Sequence, residues 1–121
     1  MTNYQDLDAW KVSIQLVDEV YSLTNEFPKD ELYSLTSQTK RAAISVPANI
    51  AEGMGRQYKK DTIQFLYVAR GSLYELETLI HISVTRKITG QQKSDKIFSL
   101  IRKCLQVLNG FINYMQESKL K

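Results

Sequence analysis

Apolar residues recur every three or four positions along four long stretches of this chain, and only two prolines interrupt its 121 residues. A row with that period lies along one side of an α-helix, whereas a half-buried strand alternates strictly. The first row is Leu7, Trp10, Ile14, Val17 and Tyr21. The second is Leu35, Thr39, Ala43, Val46, Ile50 and Met54. The third is Leu66, Ala69, Leu73, Leu76, Ile80 and Val84, and the fourth Ile97, Ile101, Cys104, Leu108, Phe111 and Met115. The rows predict helices over 7–26, 35–56, 60–87 and 91–117.

Local signals mark the ends. Asp6 suits the N-cap of the first helix, and Phe27-Pro28 closes it, because a residue before proline is pushed out of the helical region. Ser34 or Thr36 suits the second cap, and Gly53 and Gly55 that helix's end. Thr89 and Gln92 fit a capping box for the fourth. Short connections between long amphipathic helices make neighbours antiparallel. The expected fold is all-α, an antiparallel up-down four-helix bundle, with residues 1–121 forming one domain.

Pro47 falls inside the second helix, where it removes the donor to the Ala43 carbonyl at a typical cost of about 3 kcal/mol. Small residues surround it: Ala42, Ala43, Ala48, Ala51 and Gly53. A kink there either lets a neighbouring helix approach closely or shapes a binding or assembly surface.

Composition restricts the chemistry. One histidine and one cysteine cannot supply a multi-ligand zinc site, and Cys104 has no partner for an intrachain disulfide, which fits a reducing compartment. A di-iron bundle needs Glu-x-x-His on two helices, and here the spacing is Glu77-x-x-x-His81, once. His81 is therefore read as a flank residue paired with Glu77, and Cys104, on the core row, as a small buried apolar group. Gly53-Met-Gly55 is not a phosphate loop, since no strand precedes it and no Gly-Lys-Ser/Thr follows. No cofactor, metal or catalytic residue is expected. No apolar run approaches the roughly 20 residues that span a bilayer, and the first residues do not resemble a signal peptide, so the expected location is the cytoplasm, with no membrane partner.

Charge is uneven. Residues 4–31 carry net −5, residues 37–60 net +4, residues 61–90 are balanced, and residues 91–121 carry net +4, within a total of +3. An acidic first segment beside basic ones points to complementary neighbours or a basic binding face. The candidate nucleic-acid contacts are Lys40, Arg41, Arg56, Lys59 and Lys60, with Tyr58 placed for base stacking. Further bases, Arg70, Lys93, Lys96, Arg102 and Lys103, lie on the third and fourth segments. A second row on the third helix, Ile63, Tyr67, Arg70, Tyr74, Glu77 and His81, runs about 100° from its core row. It is either a wet flank or a subunit interface carried by Tyr67, Arg70 and Tyr74.

The run from Leu35 to Arg56, with Val46-Pro-Ala-Asn-Ile-Ala-Glu-Gly53 at its centre, resembles the signature of the protein family named for 23S rRNA intervening sequences. Phe65 to Glu77 is similar to that family's third helix and Tyr4 to Trp10 to its opening. The family is similar in turn to accessory variability proteins of diversity-generating retroelements, which bind nucleic acid beside a reverse transcriptase. The resemblance implies a four-helix bundle assembled as a pentamer, without enzymatic activity, with RNA or DNA as a partner. A protein partner such as a reverse transcriptase, without direct nucleic-acid contact, is the alternative. Tyr58 stands where the family more often has serine, which weakens the cap of the third helix.

Overall fold

The computed structural model describes residues 3–119 and 121. Four α-helices dominate it: α1 (Asp8–Thr24), α2 (Ser37–Met54), α3 (Lys59–Thr85) and α4 (Gln91–Glu117). Each α-helix packs on its two neighbours in chain order, and α4 closes back on α1. The arrangement is the expected antiparallel up-down bundle. Contacts at matched heights fix the registers. The Lys40 ammonium sits over the Tyr21 ring at 4.7 Å, and the Ser45 and Ser72 hydroxyls bond at 2.8 Å. Arg70 donates to Asn109 at 3.0 Å, and Lys96 meets Glu19 at 2.9 Å.

Three of the four apolar rows face the core as the spacing predicts. Val46 and Ile50 of α2, Leu66, Leu73, Leu76 and Ile80 of α3, and Ile101, Cys104 and Leu108 of α4 are fully buried. The first row does not. The buried row of α1 is Ala9, Val12, Leu16, Val20 and Leu23, about 100° round the helix from the row picked out by size. Leu7, Trp10 and Val17 are half-buried against the edge of the core, while Ile14 and Tyr21 are 42% and 39% exposed. Both rows have helical spacing, and the row that begins at Ala9 is the one that packs close to α4. The Cys104 Sγ lies 3.8 Å from the Ala9 carbonyl oxygen.

The helix ends are built differently from the expected caps. Leu7, not Asp6, occupies the α1 cap position, and Asp6 ends a 3₁₀ turn over Tyr4–Asp6. α2 is entered through a 3₁₀ turn at Lys29–Glu31 and a π turn at Leu32–Thr36, so neither Ser34 nor Thr36 caps it. Ser34 instead donates to the Glu31 carboxylate at 2.9 Å. Gly90 caps α4, and no Thr89–Gln92 box forms. Thr89 is drawn into the end of α3 instead. Lys87 adopts φ 60°, its N–H bonds the Val84 carbonyl at 3.0 Å, and the Ile88 and Thr89 N–H groups bond the Ser83 carbonyl at 2.9 and 3.3 Å. This is a Schellman closure, with Ile88 folded against the core as its apolar contact.

α2 runs on through Pro47, whose ring is buried. α2 and α3 approach closely at Gly53. A Cβ there would stand 2.8 Å from the Phe65 Cβ and 3.1 Å from the Thr62 carbonyl oxygen, and the Thr62 hydroxyl donates to the Gly53 carbonyl at 2.8 Å. Gly53→Ala should therefore separate the helices and cost about 1–3 kcal/mol, read as a lower urea midpoint. The opposite effect is expected at Thr39. Its side chain is fully buried and its hydroxyl lacks a hydrogen-bond partner, as does that of Thr36. Thr39→Val keeps the shape and removes the unpaired group, so stability should rise by about 1 kcal/mol in the same assay.

Candidate nucleic-acid interface

The α2–α3 turn, residues 55–58, and the first two residues of α3 hold four of the six predicted contact residues. Gly55 closes α2, its N–H shared between the Ala51 and Glu52 carbonyls at 3.2 Å. Arg56 then folds back. Its guanidinium pairs with Glu52 at 2.8 Å and lies 4.6 Å over the Phe65 ring. Tyr58 is extended and exposed at the entrance to α3, and no side chain caps that entrance. Lys60 is exposed and carries no bond or ion pair. Lys59 is committed elsewhere. Its Nζ donates to the Ser118 carbonyl at 2.8 Å, and its backbone N–H to the Lys121 carbonyl at 3.0 Å. That residue pins the segment after α4 to the start of α3.

The other two residues lie apart. Arg41 stands thirteen residues before the end of α2, about 20 Å along the axis. It is exposed and unpaired, whereas Lys40 turns toward α1 and covers Tyr21. One continuous groove through all six residues is not formed.

The second row of α3 is the seam with α4. The Tyr67 hydroxyl accepts from Gln116 Nε2 at 2.6 Å, and Arg70 lies over the Tyr67 ring at 4.9 Å while bonding Asn109. Glu77 pairs with Arg102 at 3.0 Å, not with His81, whose ring stacks on Phe98 at 4.5 Å. The reason is geometric: α4 runs antiparallel beside this row and offers Tyr67, Arg70, Glu77 and His81 partners at their own heights. Of the three residues proposed for a subunit interface, Tyr67 and Arg70 are thus engaged within the chain, and Tyr74 is left exposed. Gln116 and Asn109 carry no sequence signal of their own; only the register of α3 on α4 singles them out.

The profile of the 23S rRNA-intervening sequence protein family matches residues 5–110. The chain belongs to that family. A solved structure from Bacteroides thetaiotaomicron, described as a protein with unknown function from the S23 ribosomal protein family, superimposes with a TM-score of 0.78. The match covers 86% of this chain and 97% of that one at 20% identity, a likeness of fold. No curated protein matches the chain.

Ion pairs engage four of the sixteen Lys and Arg side chains of this intervening-sequence family member. Lys93 pairs with Glu26, Lys96 with Glu19, Arg102 with Glu77 and Arg56 with Glu52. The acidic first segment thus meets the basic fourth, as the charge pattern anticipates. Among the described residues no group of three or more His, Cys, Asp or Glu side chains could hold a metal ion. No described helix is long and apolar enough to cross a membrane.

Burial pushes the Cys104 thiol from its ordinary 9.0 to about 12. In the unfolded chain the thiol ionises near 9, so the stability tied to its protonated state is complete below pH 9 and is lost as pH rises toward 12. At pH 8 the native protein should react with iodoacetamide much more slowly than the chain unfolded in guanidinium, because the thiol is both buried and less ionised. Mass spectrometry of alkylated samples checks this.

Proposed function

We propose that this protein is a non-enzymatic accessory factor of the cytoplasm that works as a homo-oligomer, a pentamer on the family resemblance, and holds the backbone of RNA or DNA at its α2–α3 corner. The observation that supports this reading is the corner itself, where Arg56, the exposed Tyr58 and the unpaired Lys60 fall within five residues of chain. Cations near an exposed aromatic ring suit phosphate contact combined with base stacking. One corner binds weakly, and several copies on one particle raise the avidity. The family description, which names 23S rRNA intervening sequences, points to the same class of partner.

A second reading is an assembly or adaptor module that binds another protein, such as a reverse transcriptase, without touching nucleic acid. The four intrachain ion pairs favour it, because they leave less basic surface free.

Filter binding of structured and single-stranded RNA and DNA separates the two readings. Binding should be sequence-independent and fall steeply with salt. Arg56→Glu with Lys60→Glu should weaken it at least about tenfold and lower the salt slope by about 2, with an unchanged circular dichroism spectrum. Tyr58→Ala should cost about 1–3 kcal/mol on single strands. No binding to any of these at about 50 mM salt, where phosphate contacts are strong, leaves the adaptor reading.

A further inference from the structure

The apolar row of α1 that does not enter the core is only partly covered within the chain: Trp10 and Val17 are half-buried and Lys40 lies over Tyr21, while Ile14 is 42% exposed. Trp10, Ile14, Val17 and Tyr21 lie on the side of α1 that faces α2, as the Lys40–Tyr21 contact shows. Ile44, 42% exposed, and Ala48, also exposed, continue this surface on α2. Residues three and four apart share one helix face, so the outer edge of α1 reads Lys11, Ile14, Asp18, Tyr21. By the same rule the outer edge of α2 reads Arg41, Ile44, Ala48, Glu52.

The antiparallel register set by Tyr21 and Lys40 decides which of these residues share a height. Asp18 of α1 and Arg41 of α2 lie within about 3 Å along the bundle axis, and so do Lys11 and Glu52. Each edge is an apolar centre between two opposite charges, and their order on α1 is the reverse of that on α2 at the same heights. The side chains of Lys11, Asp18 and Arg41 make no hydrogen bond or ion pair within the chain, and Glu52 uses one carboxylate oxygen, Oε1, on Arg56.

We infer that the occupant of this surface is a second copy of the chain, with the α1 edge of one copy against the α2 edge of the next. In that contact Asp18 meets Arg41 of the neighbouring copy, Lys11 meets its Glu52, and Ile14 packs on its Ile44 and Ala48. Copies aligned side by side bring these groups together without any change in the bundle, and the contact removes Ile14, Tyr21 and Ile44 from water. The inference rests on the homo-oligomer reading and adds to it the face that carries the contact. That face is separate from Tyr67 and Arg70, which the α3–α4 seam already uses.

Light scattering on the whole chain tests it. The wild type should run as a multiple of 14.0 kDa. Asp18→Arg alone and Arg41→Asp alone should each raise the dissociation constant at least about tenfold, because each sets like charges face to face. The combined Asp18→Arg, Arg41→Asp protein should recover the assembly. Ile14→Asp with Ile44→Asp should give a monomer, and the exposure of both positions lets the helical spectrum persist. A wild-type monomer at all concentrations overturns both the oligomer reading and this face. A wild-type oligomer that tolerates Ile14→Asp with Ile44→Asp and both single charge reversals overturns the face and leaves the oligomer.

Discussion

The approach of α3 to α2 at Gly53 is the constraint on which the rest of the candidate corner depends. With a hydrogen in place of a side chain, the α2 backbone comes close enough for the Thr62 hydroxyl to donate to the Gly53 carbonyl, which also accepts the Arg56 N–H at 3.1 Å. That bond holds the first turn of α3 against the last turn of α2. Phe65 is thereby set where Arg56 can lie on its ring, and Tyr58 is left pointing into solvent. A wider crossing would take the Phe65 ring from under Arg56 and leave its pair with Glu52 to water. The shape of the corner follows from a backbone contact more than from its charges.

Much of this fold was legible in the sequence, and the errors have physical causes. The rows of α2, α3 and α4 match the core because each helix has one unbroken row without charge, the second row of α3 being interrupted by Arg70 and Glu77. α1 has two rows with the same period, and the bulkier one stays outside. Residue size does not decide which row is buried; closeness of fit to α4 does, and that is a property of two helices. The expected caps failed for a related reason. Thr89 belongs to the closure of α3 because Lys87 takes a left-handed conformation, which local residue preference disfavours in a lysine.

The candidate site was only half legible. The basic turn could be found from composition, and Arg56, Tyr58 and Lys60 do gather there. Charge counting could not show which cations are already spent. Lys59 is taken by carbonyls some sixty residues away in sequence, and Arg102 and Lys96 by acids on other helices. Helix period places a side chain on a face but says nothing about the partner across the gap. The same limit hid the α3–α4 seam, where Tyr67 and Arg70 have partners on α4.

The π turn before α2 bears on how the chain tolerates changes in length. Such a turn is the form a helix takes when it accommodates one residue more than its hydrogen-bond ladder requires. Here the surplus sits at Leu32–Thr36, where Tyr33 is 93% exposed. Deleting Tyr33 would let this turn tighten to ordinary α spacing while Thr39, Val46 and Ile50 keep their places in the core. Insertions and deletions among relatives can be absorbed at this point, upstream of a helix whose register against α3 cannot shift.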